Sequence, residues 1–403
     1  MSTQKKDTPQ QTEFRDYCRN WLEENRPEPP AFRLPQMAIE VMTDRQRDYL
    51  GAWQKACYEA GLVACDYPVE YGGGGHKGFQ SVASQEMAKA STPYMLNVIG
   101  LNMAAPTMLN HGTEEQKKRY LAPLFSCEEV WCQGFSEPGA GSDLAGVQAS
   151  AKRSGENWVI NGHKVWTSLA HFASWMIILC RTSSDDKYNG LTYFIVPIAG
   201  DEAVTVRPLI KMTGETGFNE VLFEDLEIPD SLRVDEVGKG WTVAMTTLLY
   251  ERGAAEGAGG GGGRSLEKRV ADLVALAKRM KRSGRAAWED PVLRDKIMDI
   301  SVRAEGLRQS AKRGRIDTLT EHPMRIPLQG KLVASELMQD MAAVALEVEG
   351  AHSSLYLGDE NAPDGADWPL AYLNSYGFTI AAGTSEVQKN ILGERVLGLP
   401  KSK

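Results

Sequence analysis

The hydrophobic pattern of this 403-residue chain changes character twice, and these two changes constrain its fold more than any other feature. Before residue 131, apolar residues recur at the three- and four-residue spacing of amphipathic helices. Short runs rich in β-branched and aromatic residues follow, separated by Gly, Asn and Asp clusters typical of turns between strands. Helical spacing then returns. The pattern predicts an α+β multidomain protein with an N-terminal helical domain (1–130), a middle β-barrel-like domain (131–235) and a C-terminal helical bundle (236–403).

The same periodicities predict where the individual elements lie. The predicted N-terminal helices cover 14–22, 46–60, 80–90, 97–110 and 114–121, and Thr113 is the expected N-cap of the last one. The predicted strands cover 158–160, 175–180, 191–197, 204–206 and 220–223. The predicted C-terminal helices cover 270–280, 292–312, 328–349 and 384–396. No internal repeat interrupts this order.

Composition and charge exclude several classes of protein. A formal net charge of −8 argues against nucleic-acid binding by the whole molecule. No stretch of about 18 apolar residues is present, so no membrane span is predicted. The polar segment 1–11 lacks the apolar region of a secretory signal. Six sparse cysteines without paired CxxC spacing predict reduced thiols in a cytoplasmic protein, with neither a disulfide framework nor a metal site.

Positive charge is concentrated in one part of the chain. Residues 264–315 contain 15 Lys and Arg against seven Asp and Glu, which is a local charge of +8. A charged run of this kind is typical of a solvated helix face. It would also suit a docking surface for a polyanionic small molecule such as a nucleotide. The sequence leaves both interpretations open.

Three segments contain residue types suited to cofactor binding. The first, 133–146, holds a Pro-Gly-Ala-Gly-Ser loop whose backbone N–H groups could bind an anion or a polar ring, although such loops are often plain turns. The second, 158–168, is predicted to form a hairpin through Asn161-Gly162 that brings Trp166 and two hydroxyls to a strand end, unless the tryptophan is merely buried. In the third, 380–390, Thr384 is predicted to cap a helix start.

Taken together, these three strings resemble the acyl-CoA dehydrogenase family of flavoproteins, over residues 12–400. The resemblance implies that FAD is the cofactor and an acyl-CoA thioester the substrate. It places the isoalloxazine ring and ribityl chain against the first two segments, and the adenosine end or pyrophosphate against the third. The implied cofactor-binding residues are Gln133, Phe135, Ser136, Gly141, Ser142, Trp166, Thr167, Ser168, Thr384 and Glu386. Ser142 also lies where family members touch the acyl-CoA.

The position of the catalytic base departs from the commonest family pattern. Many members place a Glu directly before the Gly-Thr-Ser string, where this chain has Ala382, whose methyl group cannot accept a proton. Members similar to isovaleryl-CoA and long-chain dehydrogenases instead carry a Glu-Arg pair on an earlier helix, which Glu251 and Arg252 match. We therefore expect Glu251 to be the base, with Arg252 and the Ala382 backbone N–H as substrate contacts. Glu256 is the runner-up, and an ordinary surface pair is the alternative for 251–252.

The glycine-rich run that follows this candidate base contains six glycines within 257–263. Glycine is poor in a helix interior, costing roughly 1 kcal/mol per residue relative to Ala. One hypothesis is that the run leaves room for a bulky or branched acyl chain. A turn without any role in the acyl pocket explains the run equally well.

Two family strings that reach the FAD of a neighbouring subunit are altered. No Arg-x-x-Phe-Gly string is present, and the usual Gln…Gly-Gly-x-Gly element is reduced to 347–352. The resemblance thus implies either a homotetramer or a heterotetramer with a paralogous subunit, with an electron-transfer flavoprotein as electron acceptor. Two other functions stay open: a non-catalytic partner subunit, and a flavin oxidase or monooxygenase on the same fold.

Overall fold

The structure is a computed structural model that describes residues 7–253, 266–314, 316, 319, 322 and 325–401, with the side chains of 252–253 left out. Its contacts divide the chain into two compact units, 1–263 and 264–403. No helix among the described residues is both long and apolar enough to cross a membrane. Glu256 and the glycine-rich run, for which the sequence suggested roles, lie outside the described residues.

Helices form the first part of unit 1. They are α1 (Pro9–Asn25), α2 (Asp44–Glu59), α3 (Phe79–Lys89), α4 (Ala105–His111) and α5 (Glu114–Phe125), and a π-helical turn at Gly100–Ala104 leads into α4. Capping boxes start three of them, because a Thr side chain accepts a backbone N–H three residues on while a Gln side chain reaches back. One of these caps is Thr113, as the sequence predicted.

A sheet follows, and it forms the second part of unit 1. Its strands are β1 (Trp131–Gly134), β2 (Ser150–Ser154), β3 (Asn157–Ser168), β4 (Trp175–Arg181), β5 (Leu191–Pro197), β6 (Val204–Leu209), β7 (Phe218–Pro229) and β8 (Arg233–Val234). They are ordered β6-β7-β3-β2-β4-β5-β8, and β1 pairs in parallel with β4. Strands β4 and β5 are buried on both faces, which explains their continuous apolar runs.

The predicted hairpin through Asn161-Gly162 is wrong, because β3 runs straight through these residues from Asn157 to Ser168. The tight turn lies earlier, at Gly155-Glu156, where β2 and β3 pair from Ser154 opposite Asn157. Gly155 has a φ of +61°, a conformation that glycine adopts without steric cost. Gly162 serves close packing instead: a Cβ there would lie 2.4 Å from the Cβ of Ala149.

The last described element of unit 1 is α6 (Gly240–Gly253). The secondary structure described for unit 2 is helical apart from a two-stranded ribbon, β9 (Lys281–Arg282) with β10 (Arg285–Ala286). Its helices are α7 (Leu266–Arg279), α8 (Pro291–Arg313), α9 (Arg325–Glu349), α10 (Asp367–Ile380) and α11 (Ser385–Ile391). A π-helical turn at Leu392–Val396 completes the helix predicted over 384–396. The succession of helical, sheet and helical parts confirms the predicted fold class.

Helix α10 was not predicted, because its sequence has no apolar stripe at helical spacing. It contains a proline, a glycine and two tyrosines, and its apolar residues lie on all sides. Tertiary packing stabilises it: Trp368 is buried in the core of unit 2 and receives the guanidinium of Arg269 over its ring at 5.6 Å. Packing of this kind outweighs the weak local preference for a helix.

Candidate functional site

The first predicted cofactor segment is a loop, residues 135–147, that leaves the end of β1 and returns towards β2. Gln133 lies on β1, and Phe135 is buried with its ring edge-on to Tyr193 of β5 at 5.8 Å. The Ser136 carbonyl accepts a hydrogen bond from the Val165 N–H at 2.9 Å, which joins the 135–147 loop to β3. The sheet therefore holds the start of the loop against two strands.

Glycines in the middle of the 135–147 loop are not required by the fold itself. Gly139 and Gly141 have no positive φ, and a Cβ at either position would meet nothing within 4 Å. Ser142 beside them is exposed. A glycine that neither backbone conformation nor internal packing demands is suited to a site where another molecule approaches the backbone closely. This arrangement fits a bound cofactor.

The second predicted segment ends in a β-bulge that turns Trp166 outward. Lys164 pairs with Val221 of β7 and Thr167 with Asn219, so β3 has one extra residue between the two pairs. Trp166 has a φ of +60° and is 59% exposed, with only the edge of its ring against Phe218. A large aromatic residue in this strained conformation is uncommon, and strain of this kind is concentrated at functional sites.

Two of the predicted cofactor residues have buried polar atoms without a partner. Among the described residues, Gln133 Nε2 and Thr167 Oγ1 make no hydrogen bond. Buried polar atoms are satisfied in most structures, so unsatisfied ones suggest a missing ligand or water. Ser168, the next residue on β3, is also buried. An indole face, loop glycines and orphaned amide and hydroxyl groups on neighbouring strands suit the flat ring of FAD with its polar edge.

A layer of residues behind Thr167, which the sequence analysis missed, holds its backbone in place. Asn219 Nδ2 donates to the Thr167 carbonyl at 3.0 Å and lies 2.9 Å from His171 Nδ1. Burial lowers the pKa of His171, so its neutral ring accepts from Asn219 and donates through Nε2 to the Val41 carbonyl. Asn219 is buried at a strand position whose polar side chain has no local reason to be there, and one sequence gives no clear signal of its role.

Glu251 lies near the end of α6, on a helix held by a buried hydroxyl network. One turn earlier, Thr247 is buried, and its Oγ1 lies 2.9 Å from Thr107 Oγ1 and 3.0 Å from the Tyr193 hydroxyl. Residues four apart share one face of a helix, so Glu251 follows Thr247 on the face that packs against the sheet. Glu251 is half-buried. Through Thr247, this face of α6 contacts Tyr193, whose ring lies against Phe135 at the start of the 135–147 loop.

The third predicted segment belongs to unit 2 and begins α11. Thr384 is its N-cap, as predicted, and accepts the Val387 N–H at 3.2 Å. The two preceding residues both have positive φ, +54° at Ala382 and +89° at Gly383. Their carbonyls accept from Gln388 Nε2 at 2.8 Å and from Lys331 Nζ at 2.6 Å. Glu386 is exposed, and its pKa is lowered by hydrogen bonds from its own backbone N–H and from Thr384.

Family models for the N-terminal, middle and C-terminal domains of acyl-CoA dehydrogenases match residues 8–128, 132–226 and 238–397. The chain belongs to the acyl-CoA dehydrogenase family. It is 36% identical to acyl-CoA dehydrogenase IpdE1 of Mycobacterium tuberculosis over 96% of this chain and 98% of that relative. It is also 27% identical to the mitochondrial short-chain specific acyl-CoA dehydrogenase of Homo sapiens, over 89% of this chain and 85% of that one.

Solved structures agree with this assignment. The Tcur3481-Tcur3483 steroid ACAD matches this dehydrogenase with a TM-score of 0.79 and 26% identity over 98% of this chain and 99% of that chain. A chain of the ChsE4-ChsE5 complex from Mycobacterium tuberculosis shares the fold, with a TM-score of 0.77 and 24% identity over 99% of both chains. The dehydrogenase is thus an FAD-dependent oxidoreductase that acts on acyl-CoA, as the sequence motifs predicted.

Replacing Gly141 with Val is expected to abolish FAD binding without unfolding the protein. The new side chain meets no internal neighbour and no unfavourable φ, so it would occupy only the space that we assign to the cofactor. We expect the purified variant to be colourless, with a melting temperature close to that of the FAD-free parent. Flavin absorbance and thermal melting measure the two effects.

Gly306→Val on the α8 surface, where a Cβ also meets nothing within 4 Å, is the matched control and should stay yellow. A yellow Gly141→Val protein would contradict the assignment.

Proposed function

We propose that this dehydrogenase forms the α,β double bond of an acyl-CoA thioester with Glu251 as the base. Three observations support Glu251: its half-buried place on α6, the hydroxyl network that fixes the helix one turn earlier, and Ala382 at the position where many relatives carry the base. Bound FAD supplies a flavin ring that accepts the β-hydrogen as hydride. The Glu251 carboxylate takes the α-proton onto one of its oxygens.

The thioester α-proton is too weakly acidic for a free carboxylate, so the site must stabilise the negative charge that develops on the carbonyl oxygen. We propose that the Ala382 backbone N–H donates to this oxygen. The strained positive φ of Ala382 supports a specific demand on its backbone. Exclusion of water by the substrate is expected to raise the pKa of Glu251 towards the working pH, which makes it a better base. We propose Arg252 and Ser142 as further substrate contacts.

For the acyl group, we propose a bulky alicyclic acid, such as one derived from a steroid. The support comes from the similar Tcur3481-Tcur3483 steroid ACAD and from the glycine-rich run 257–263 shortly after Glu251, which has few side chains that could fill an acyl pocket. The missing Arg-x-x-Phe-Gly string and the reduced element at 347–352, together with similar proteins that are two-subunit complexes, support a heterotetramer with a paralogous subunit. We propose an electron-transfer flavoprotein as the acceptor.

A panel of acyl-CoA substrates tests this function through loss of the visible absorbance of the oxidised flavin under exclusion of oxygen. We expect steroid-derived acyl-CoAs to bleach the flavin at least roughly tenfold faster than linear short-chain ones, because a wide pocket leaves small chains loosely positioned. The chain is purified alone and with its paralogue. Equal rates across the panel would contradict the bulky substrate but not the dehydrogenation.

One alternative is favoured by a specific observation. The missing Arg-x-x-Phe-Gly string fits a non-catalytic subunit that only completes the flavin site of another chain. If the chain purified alone binds FAD, and an acyl-CoA then bleaches that flavin, the non-catalytic alternative is excluded. Rapid reaction of the reduced flavin with oxygen would instead identify an oxidase.

A further inference from the structure

A buried ion pair lies behind the 135–147 loop, outside the residues that the sequence assigned to the cofactor. Lys164 of β3 is 0% exposed, and its ammonium group donates to Glu137 Oε1 at 2.7 Å. It also donates to the carbonyls of Leu179 at 2.9 Å and Phe135 at 3.2 Å. A lysine ammonium group has three N–H donors, so these three acceptors use all of them.

The Glu137 carboxylate is equally well satisfied, and its side chain is only 8% exposed. Besides Lys164, Oε1 accepts the Ala149 N–H at 2.9 Å, and Oε2 accepts the Gln148 N–H at 2.7 Å. Glu137 and Phe135 stand at the start of the 135–147 loop, while residues 148 and 149 follow directly after it. One carboxylate and one ammonium group therefore join both ends of the loop.

The pair also lies next to the bulge that exposes Trp166. Lys164 is the last residue of β3 in regular register with β7 before the extra residue, and Trp166 follows two positions later. The Lys164 ammonium group donates to the Leu179 carbonyl of β4 and to the Phe135 carbonyl of the 135–147 loop. The position at which β3 departs from regular pairing with β7 is therefore joined to the 135–147 loop.

We propose that Glu137 and Lys164 are positioning residues for FAD, which hold the 135–147 loop and the Trp166 bulge at the separation that the flavin requires. Stability alone does not explain a buried ion pair, because apolar side chains of similar size often stabilise a fold equally well or better. Its specific contribution is geometric, since each partner accepts or donates in fixed directions. The inference concerns FAD binding and does not depend on Glu251.

Glu137→Gln tests the proposal with little change in shape. A Gln amide oxygen can still accept from Lys164, but its NH₂ group faces the N–H of Gln148, so one end of the loop loses its anchor. We expect the purified holoprotein to release FAD at concentrations at least tenfold higher than the parent, measured by flavin fluorescence on serial dilution. The visible circular dichroism of the remaining bound flavin should also change, because that signal reports the surroundings of the ring.

Asp230→Asn is the matched control, at the residue that directly follows β7 of the same sheet. Asp230 accepts from Arg233, Arg153 and the Trp158 indole N–H, at the β2–β3 turn end of β3. This end is eight residues from Trp166, or about 26 Å along an extended strand. The control should lower the melting temperature yet leave FAD release within twofold of the parent. Equal FAD release by both variants, or an unchanged release and spectrum in Glu137→Gln, would overturn the proposal.

A second variant decides the matter if Glu137→Gln does not accumulate as folded protein. Glu137→Gln combined with Lys164→Met removes both charges together, so that no unpaired charge remains buried. We expect this double variant to fold and still to release FAD at least tenfold more readily than Asp230→Asn. FAD release equal to that control would overturn the proposal.

Discussion

Glu251→Gln is expected to bind FAD normally and to leave it oxidised when acyl-CoA is added. The amide keeps the shape of the carboxyl group but cannot accept the α-proton. Without removal of that proton, the β-hydrogen cannot leave as hydride at an appreciable rate. We expect the rate of flavin bleaching to fall roughly 10²–10⁴-fold, the range typical for loss of a general base. Stopped-flow absorbance of the flavin measures the rate, and the yellow colour of the variant verifies cofactor binding.

Glu256→Gln is the control for this experiment, because Glu256 is the other candidate on the same stretch of sequence. It should bleach at nearly the parental rate. If Glu256→Gln loses activity while Glu251→Gln retains it, the base has been assigned to the wrong residue. If both variants remain active, neither residue is the base, and another group in the site must accept the α-proton.

Glu349→Gln is expected to remove a loss of stability that the parent suffers as the pH rises. Between pH 5 and pH 8, the free energy of unfolding of the variant should gain about 2–3 kcal/mol relative to that of the parent. Glu349 ends α9, is 2% exposed, and neither of its carboxylate oxygens has a partner among the described residues. Burial raises its pKa to about 7, and the nearby carboxylates of Asp364 and Asp367 add to the rise while Arg279 opposes it.

The direction of the effect follows from which state binds the proton. Between the ordinary glutamate pKa, near 4.5, and the folded value of about 7, the folded chain keeps a proton that the unfolded chain has lost. Stability therefore falls as the pH rises through this window, and the loss is complete above it. Gln carries no charge at any pH, so the variant escapes this loss.

Thermal melting at pH 5 and pH 8 measures the difference, with roughly 2–4 °C expected for each kcal/mol. Glu347→Gln is the matched control two residues away, since Glu347 is half-exposed and pairs with Lys296 at 2.7 Å. It should show the pH dependence of the parent. A Glu349→Gln protein whose melting temperature falls between pH 5 and pH 8 as much as that of the parent would show that Glu349 is not protonated in the folded chain.

Local sequence signals predicted much of this fold because they depend on neighbouring residues alone. Apolar spacing placed most helices within a few residues, and the Thr113 and Thr384 caps were recognised from the residues that follow them. The hairpin at Asn161-Gly162 was wrong for the same reason. An Asn-Gly pair favours a tight turn locally, but here pairing of β3 with β2 and β7 along its length keeps the strand extended.

The candidate site was predicted in part. The motifs named the residues that we assign to the cofactor site. They did not indicate that a bulge turns Trp166 outward, or that Asn219 and His171 hold the backbone of Thr167. Nor did they indicate Lys164 and Glu137, which are 27 residues apart in sequence and meet only in the folded sheet. Contacts between distant segments leave no periodic trace that one sequence can reveal.

The amino-acid sequence by itself determined the order of helical and sheet parts and the family to which the chain belongs, because periodicity and short motifs are local properties. Only the tertiary structure decided which side chains stand behind the residues that we assign to the cofactor, which polar atoms are buried without partners among the described residues, and which buried carboxyl groups have a raised pKa. These features depend on burial and on the mutual distances of residues far apart in the chain, and those arise only when the strands and helices pack.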